Sequence, residues 1–226
     1  MVSGYMVHTF ELLVPPAEYF KTHPEYYALI DGKRNPAQLC LSNPEVFDVL
    51  VKNLEDAMAQ FPKATYWSVS QNDNYGYCRC EKCAKLDEQE ESHSGSVLDF
   101  VNRVAERFPD KVISTLAYQY SRKPPRSIVP RENVQIMLCN IESERQAPIA
   151  TNPNDNFGDD LRAWGKLTRD IMIWDYVVQF RNLVSPFPNL RVLQPNIRFF
   201  VENGTNAHFQ QGNREIGGEF YELRQY

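Results

Sequence analysis

The sequence lacks both the short motifs that hold nucleotides and the long segments that cross membranes. Neither G-x-G-x-x-G nor a P-loop lysine motif follows any predicted strand, which argues against a nucleotide-binding fold. No apolar run approaches the roughly 20 residues that a membrane-spanning helix needs. The N-terminus has neither the basic start nor the apolar centre of a signal peptide. Charges of both signs are interspersed and sum to −5, so no basic face indicates nucleic-acid binding.

The chain also has few cysteines, and their number is odd. Five cysteines in 226 residues argue against a framework held purely by disulfides. Three of them form the pattern Cys78-x-Cys80-x-x-Cys83, which can share one tetrahedral ion, with zinc the expected metal. The candidates for a fourth ligand are His93, Cys40 and Cys139. A disulfide between two of the three cysteines, or simple unligated thiols, are the alternatives.

What the chain does contain is apolar and aromatic. Its hydrophobic content of 42% is enough to bury a sizeable core, and it reads as one domain over residues 1–226. The thirteen Phe, twelve Tyr and three Trp either fill that core or, in part, form the flat platforms of a sugar-binding cleft.

Strands alternate with mostly helical connections along the chain. The predicted strands are residues 2–10, 64–70, 112–120, 134–140, 171–178 and 206–211. The predicted helices begin at Pro44, at Ser94 or Ser96, near 159, at 186–188 and near 217. Asn43 followed by Pro44 and Glu45 is a clear helix start. Several strands are apolar almost throughout, which is typical of a parallel α/β sheet buried on both faces.

Polar residues lie at or just past the carboxyl ends of these strands. They are His8, Asp73, Tyr118, Glu142, Asp175 and Gln210. In a TIM (β/α)8-type barrel this face carries the active site. A complete barrel has eight strands and typically about 250 residues. With six predicted strands, the first starting at residue 2, the sequence predicts an incomplete barrel: a fragment that lacks the first strands.

Three of these polar residues are candidate catalytic carboxylates. Asp73 is either an Asx turn or cap, or a general acid kept protonated by burial, with Asn72 holding a sugar hydroxyl. Asp175, between aromatic residues, is either a structural ion-pair partner or a base or nucleophile. Glu142 is either a solvated loop residue or a third catalytic candidate. Most glycoside hydrolysis needs two such groups facing the scissile bond. The residues predicted to bind the sugar are His8, Asn72, Tyr118, Trp174, Tyr176 and Gln210.

Several motifs are distinctive in combination. They are His8-Thr9-Phe10, His23-Pro24-Glu25, Gln38-Leu39-Cys40-Leu41, Asn72-Asp73 with the cysteine loop, Leu116-Ala117-Tyr118-Gln119-Tyr120, Trp174-Asp175-Tyr176, Pro186-Phe187-Pro188-Asn189-Leu190 and Gln211-Gly212. Together they resemble the DUF4838 family over nearly the whole chain. The resemblance implies a bacterial glycoside-hydrolase-like TIM barrel, related to α-glucuronidases and β-hexosaminidases, preceded by a small α/β domain.

The resemblance further implies a polysaccharide or oligosaccharide substrate, no cofactor required for catalysis, and a periplasmic or extracellular location for the full-length protein. The expected function is carboxylate acid/base hydrolysis, with Asp73 as the acid and Asp175 or Glu142 as the base or nucleophile. The rival is a non-catalytic carbohydrate-binding or scaffold module on a decayed barrel. A zinc-dependent enzyme that uses the cysteine loop is a third alternative.

Overall fold

The computed structural model describes residues 4–178, 180–181 and 189–212. Within these residues it shows an α/β fold of seven strands and seven α-helices. The strands are β1 (Tyr27–Ile30), β2 (Lys33–Leu39), β3 (Tyr66–Ser68), β4 (Val112–Ala117), β5 (Val134–Cys139), β6 (Ile171–Tyr176) and β7 (Thr205–Gln211). The helices are α1 (Phe10–Leu13), α2 (Pro16–Tyr19), α3 (Pro44–Gln60), α4 (Glu81–Gln89), α5 (Ser94–Arg107), α6 (Phe157–Leu167) and α7 (Leu190–Glu202).

The strands belong to two sheets. β1 and β2 form an antiparallel hairpin, and the other five are hydrogen-bonded in chain order, β3-β4-β5-β6-β7. The pairs β3–β4 and β6–β7 are parallel, with Trp67 opposite Ile113 and Trp174 opposite Phe209. The α/β class is therefore confirmed, with five described strands in the larger sheet. The chain divides into two compact units, Met1–Ile136 and Met137–Tyr226.

In unit 1, helix α3 begins where the sequence predicts. The Asn43 side chain accepts a hydrogen bond from the Glu45 amide at 2.9 Å, and Pro44 occupies the first helical position. Both features suit an end at which the first backbone N–H groups lack helical partners. The helix then buries one stripe, made by Val46, Leu50, Leu54 and Met58. Helix α5 likewise buries Val97, Val101 and Val104.

The predicted strand at residues 2–10 is wrong for the part that the structure describes. Residues 4–9 contain no strand, and α1 begins at Phe10. The backbone of His8 has φ 56°, a left-handed conformation that interrupts an extended chain. The segment still lies along β3: the Thr9 hydroxyl donates to the Ser68 carbonyl at 2.9 Å, and the Phe10 amide donates to the Ser70 carbonyl at 3.0 Å.

Besides the short helices α1 and α2, the sequence prediction lacked a hairpin and a helix of unit 1. The hairpin β1–β2 turns at Asp31 and Gly32, which both have positive φ, at 49° and 78°. Such a pair is what a tight two-residue hairpin turn requires. The second element is α4, which follows Cys80 directly. Asp87 of α4 accepts a hydrogen bond from the Ser96 amide at 2.9 Å and thereby caps α5.

Unit 2 follows the predicted order of elements. Helix α6 starts at Phe157 and buries Leu161 and Trp164, and β6 buries Ile171 and Ile173. Helix α7 ends at Glu202, where Asn203 and Gly204 (φ 87°) turn the chain into β7. The predicted helix starts at 186 and 188 and the predicted last helix near 217 lie outside the described residues. No helix in the described ranges is long and apolar enough to span a bilayer.

Candidate functional site

Unit 1 brings four of the predicted site residues together beyond the end of β3, and we call them the Asp73 cluster: His8, Asn72, Asp73 and Tyr118. The buried Tyr118 donates its phenolic hydrogen to Oδ1 of Asp73 at 3.0 Å. The other carboxylate oxygen, Oδ2, makes no hydrogen bond to any described residue. Asp73 itself is exposed, so the expected burial of this carboxylate is wrong. The result is a rim carboxylate with one oxygen fixed by the protein and one oxygen open.

Two left-handed residues lie beside Tyr118. His8 has φ 56° and Gln119 has φ 51°. The His8 Nδ1 lies 2.8 Å from the carbonyl oxygen of Gln71, and its ring centroid is 5.9 Å from that of Tyr118. The Gln119 side-chain amide donates to the Tyr118 hydroxyl oxygen at 3.0 Å. Non-glycine residues hold such conformations only when their surroundings fix them, and they concentrate at functional sites.

Asn72 braces the cluster. Its side-chain oxygen accepts from the Glu11 amide at 3.0 Å, and its side-chain nitrogen donates to the Ala37 carbonyl at 2.9 Å. Gln38 pairs with the Asn72 backbone in both directions, at 2.8 and 3.0 Å. These contacts fix the backbone immediately before Asp73. A direct contact between Asn72 and a sugar stays a prediction.

Sequence reasoning missed two buried glutamines of this region. Gln38 is 2% exposed and Gln71 is fully buried. The Gln71 side-chain nitrogen donates to the Tyr118 carbonyl and to the Ser121 hydroxyl, whereas its Oε1 has no hydrogen-bond partner among the described residues. A buried acceptor without a donor is costly. The only sequence signal was a polar residue inside each of two apolar segments, at Gln38-Leu39 and Ser70-Gln71.

Unit 2 contains a second carboxylate, in a different environment. Asp175, at 4% exposure, accepts hydrogen bonds at Oδ1 from the Asn140 side chain at 2.7 Å and from the Tyr176 amide at 2.9 Å. Its Oδ2 lies 3.5 Å from the Gln210 side-chain nitrogen and 3.7 Å from His208 Nε2. We call these residues, with Arg145, the Asp175 cluster. Gln210 is thus placed beside Asp175, as expected of neighbouring strand ends.

The protonation of Asp175 follows from these contacts. Burial is the largest single influence and raises the pKa of this carboxyl. Hydrogen bonds from His208 and Asn140 and the charge of Arg145 lower the pKa, and their sum exceeds the effect of burial. The net pKa lies below the usual aspartate value, so Asp175 is ionised at neutral pH. An ionised buried carboxylate can act as a base, a nucleophile or a fixed negative charge, and not as a proton donor.

Arg145 is the half-buried cation of the Asp175 cluster, and sequence reasoning missed this role. Its guanidinium donates to the backbone carbonyls of Tyr176 and Asn140, both at 2.8 Å, and to that of Ser143. These carbonyls follow β5 and end β6. Burial lowers the pKa of Arg145, although Asp175 acts in the opposite direction. The residue therefore ties two strand ends together beside the buried carboxylate.

The predicted aromatic residues of unit 2 form one group. The Trp174 ring centroid lies 4.5 Å from that of Phe209 and 6.3 Å from that of Tyr176, which in turn lies 5.8 Å from Phe180. Trp174 Nε1 donates to the Gln211 side-chain oxygen at 2.9 Å. Glu142 lies in the loop after β5 and is exposed. It is therefore placed as a solvated loop residue, and a catalytic role for it stays a prediction.

The three cysteines of the Cys78-x-Cys80-x-x-Cys83 pattern meet Cys40, the residue after β2. The four Sγ atoms all lie within 4.8 Å of one another. All five cysteines of the chain are free thiols. Of the other proposed fourth ligands, His93 contacts Asp87 at 2.9 Å, and Cys139 is buried in β5. The structure therefore groups Cys40, rather than His93, with the cysteine loop.

The thiols of this group influence one another. Hydrogen bonds from the Cys78 and Cys83 thiols hold the pKa of Cys40 well below its usual range, because they stabilise its thiolate. The same hydrogen bond to Cys40 raises the pKa of Cys78 to about 12. The pKa of Cys83 is also raised, mainly by its hydrogen bond to Cys40.

The sequence matches a known family over its whole length. Residues 1–226 match the domain of unknown function DUF4838. The chain belongs to this family. That membership confirms the resemblance drawn from the motifs, and the family description itself assigns no activity. A comparison with curated proteins gives no match.

Solved structures similar to this DUF4838 chain include glycoside hydrolases. The GH36 α-galactosidase AgaA from Geobacillus stearothermophilus, in complex with 1-deoxygalactonojirimycin, is 10% identical over 91% of this chain and 27% of its own, with a TM-score of 0.43. A Bacteroidetes-affiliated GH5 cellulase linked with a polysaccharide utilization locus is 10% identical over 84% of this chain and 59% of its own, with a TM-score of 0.45. This chain thus spans about a quarter of the galactosidase. At these TM-scores the likeness carries no inference about mechanism.

Proposed function

We propose that this DUF4838 chain supplies part of a glycoside-hydrolase-type site on an incomplete (β/α)8 barrel, with Asp73 as the proton donor. The observation that carries the proposal is the geometry of Asp73. Tyr118 fixes Oδ1 at 3.0 Å, and Oδ2 is open to a ligand. A general acid needs both features, because it must be positioned and must reach the leaving-group oxygen.

A sugar suits the surroundings of Asp73 better than a charged ligand does. Tyr118 and His8 place a phenolic hydroxyl and an imidazole ring beside Asp73, groups that can hydrogen-bond the hydroxyls of a carbohydrate. Asp73 is exposed in the free chain, so a ligand can reach its carboxyl group.

Asp175 is the proposed base or nucleophile, since its pKa lies below the usual value. Trp174 and Tyr176 are the proposed sugar platforms, because aromatic rings cover the apolar faces of pyranoses. Glu142 is the second candidate for the base. From the family resemblance, we also propose an α-glucuronidase-like specificity and a periplasmic or extracellular location for the full-length protein.

The test compares Asp73→Asn with Asp56→Asn in the full chain. Asp56 is an exposed aspartate of the same unit that pairs with Lys52 on α3, and such surface pairs contribute little to stability. Each variant is assayed on a panel of aryl glycosides and oligosaccharides that includes glucuronides. We expect Asp73→Asn to lower kcat by about 100- to 10,000-fold and Asp56→Asn to leave it unchanged. Full turnover by Asp73→Asn would remove Asp73 from the mechanism.

Binding measured by calorimetry separates the rival function. If the parent chain binds a glycan and hydrolyses none of the panel, the chain is a carbohydrate-binding or scaffold module rather than a hydrolase. In that case Asp73→Asn would weaken binding without any turnover to lose.

A further inference from the structure

The four grouped cysteines come from two parts of unit 1 that are distant in sequence. Cys40 follows β2, whereas Cys78, Cys80 and Cys83 span the loop after β3 and the first turn of α4. Cys40, Cys78 and Cys83 are buried against Ala28 in one apolar cluster, and Cys80 is partly exposed. The convergence is therefore a tertiary feature, and only three of the four ligands share a local motif.

The spacing of the sulfurs fits one tetrahedral ion. A Zn–S bond of 2.3 Å places the sulfurs of a tetrahedral site about 3.8 Å apart. The Cys40 and Cys80 sulfurs are 3.6 Å apart, and all four atoms lie within 4.8 Å of one another. A disulfide needs a much shorter separation, about 2.05 Å. Unligated thiols that pack in the core have no reason to gather as a group of four, whereas a shared metal ion requires it.

The surroundings offer donors that suit charged sulfurs. The Leu29 amide donates to the Cys78 sulfur at 3.3 Å. The Ser42 hydroxyl lies 3.3 Å from the Cys80 sulfur and 3.5 Å from that of Cys40. Metal-bound thiolates accept such hydrogen bonds, which orient the ligands and compensate their charge.

We propose that Cys40, Cys78, Cys80 and Cys83 bind one Zn²⁺ as a closed, structural tetrathiolate site. Four protein ligands leave no open position for substrate or water, which is the mark of a structural rather than a catalytic zinc. The third alternative, a zinc-dependent enzyme that uses this loop, therefore loses its support. Iron is the other metal that four thiolates favour, and elemental analysis distinguishes the two.

The position of the site indicates a structural role for the bound ion. It fastens the end of the β1–β2 hairpin to the segment that begins at Asn72 and ends at Cys83. The same hairpin already holds that segment through Gln38 and Ala37, which bond to Asn72. The ion would add a second, stronger attachment further along the loop. That this loop also presents Asp73 matters only if the proposed function holds; binding of the ion does not depend on it.

The primary test is the metal content of the full chain purified under reducing conditions without chelator. Native mass spectrometry and elemental analysis should find one zinc per chain. Reconstitution with Co²⁺ should give the intense thiolate-to-metal charge-transfer absorption of a four-sulfur site. A chain that stays metal-free after incubation with Zn²⁺, or whose mass shows a disulfide within the group, would overturn the proposal.

Variants locate the site. Cys80→Ser, at the most exposed ligand, should lower the zinc content to well below one per chain and abolish the cobalt charge-transfer band. Cys139→Ala removes a thiol outside the group and should keep the full zinc content. Equal zinc content in both variants would contradict the assignment. If Cys80→Ser fails to fold, chelation of the parent chain provides the second measurement: hydrogen exchange should rise in residues 27–42 and 72–83.

These readouts are independent of hydrolysis. Zinc bound at one per chain with no glycosidase activity would retain the metal site and reject the proposed function. Activity without bound metal would do the reverse.

Discussion

Replacing Asp175 by Asn tests whether the buried carboxylate of unit 2 is held by charge. The substitution keeps the shape of the side chain and keeps an oxygen that can accept from Asn140 and the Tyr176 amide. The new NH₂ group would replace Oδ2, where it faces the Gln210 side-chain nitrogen, so a donor meets a donor. The charge of Arg145 would also lose its compensating carboxylate.

The expected cost can be worked from these contacts. Hydrogen bonds to a charged group contribute about 1.5–3 kcal/mol, and a buried polar group left without a partner costs about 1–3 kcal/mol. Because Asn keeps two of the hydrogen bonds, we expect a loss of about 2–4 kcal/mol in the free energy of unfolding. For a chain of this size that corresponds to a decrease in Tm on the order of 10 °C.

The pH dependence gives the sharper result. The pKa of Asp175 is lower in the folded state than in the unfolded chain. Its contribution to stability is therefore fully present above the pKa of the unfolded chain, about 3.9, and is lost as the pH falls through the pKa of the folded state. The gap between the parent and Asp175→Asn should therefore be constant from neutral pH to about pH 4 and should shrink below it.

Urea unfolding followed by tryptophan fluorescence, between pH 7 and about pH 3, measures both effects. The matched control is Asp159→Asn, an exposed aspartate of the same unit that pairs with Arg162 on α6. A variant Asp175→Asn that is as stable as this control, or a gap that does not change with pH, would refute the charge argument.

Two further substitutions test local features of unit 1. Tyr118→Phe removes the hydroxyl that fixes Asp73 Oδ1. We expect kcat on any substrate found to fall by about 10- to 100-fold with KM little changed. An equal change in kcat and KM would indicate a packing defect. Asn43→Ala removes the cap of α3 and should lower the free energy of unfolding in urea by about 1 kcal/mol, whereas Asn43→Asp should be nearly neutral. A loss of stability in Asn43→Asp as large as in Asn43→Ala would contradict the capping role.

Some of what the sequence analysis missed was visible in the sequence. Asp31-Gly32 directly after the short apolar segment Tyr27–Ile30 is a hairpin signal, and β1–β2 turns at those residues. The predicted strand at residues 2–10 had the right composition, but the left-handed His8 breaks it, and hydrogen bonds of the Thr9 hydroxyl with the Ser68 carbonyl and the Ser70 amide help to hold the segment beside β3. No propensity rule contains a contact of that kind.

The sequence alone determined the features that depend on near neighbours. The cap and buried stripe of α3, the apolar strands of the α/β fold, and the three clustered cysteines follow from spacings of a few residues. Tertiary structure decided the rest: that Tyr118 reaches Asp73 across 45 positions, that Cys40 meets Cys80 across 40, and that Asp73 is exposed while Asp175 is buried. Burial and long-range contacts depend on how strands and loops pack, and the local pattern around an aspartate or a cysteine carries no record of that packing.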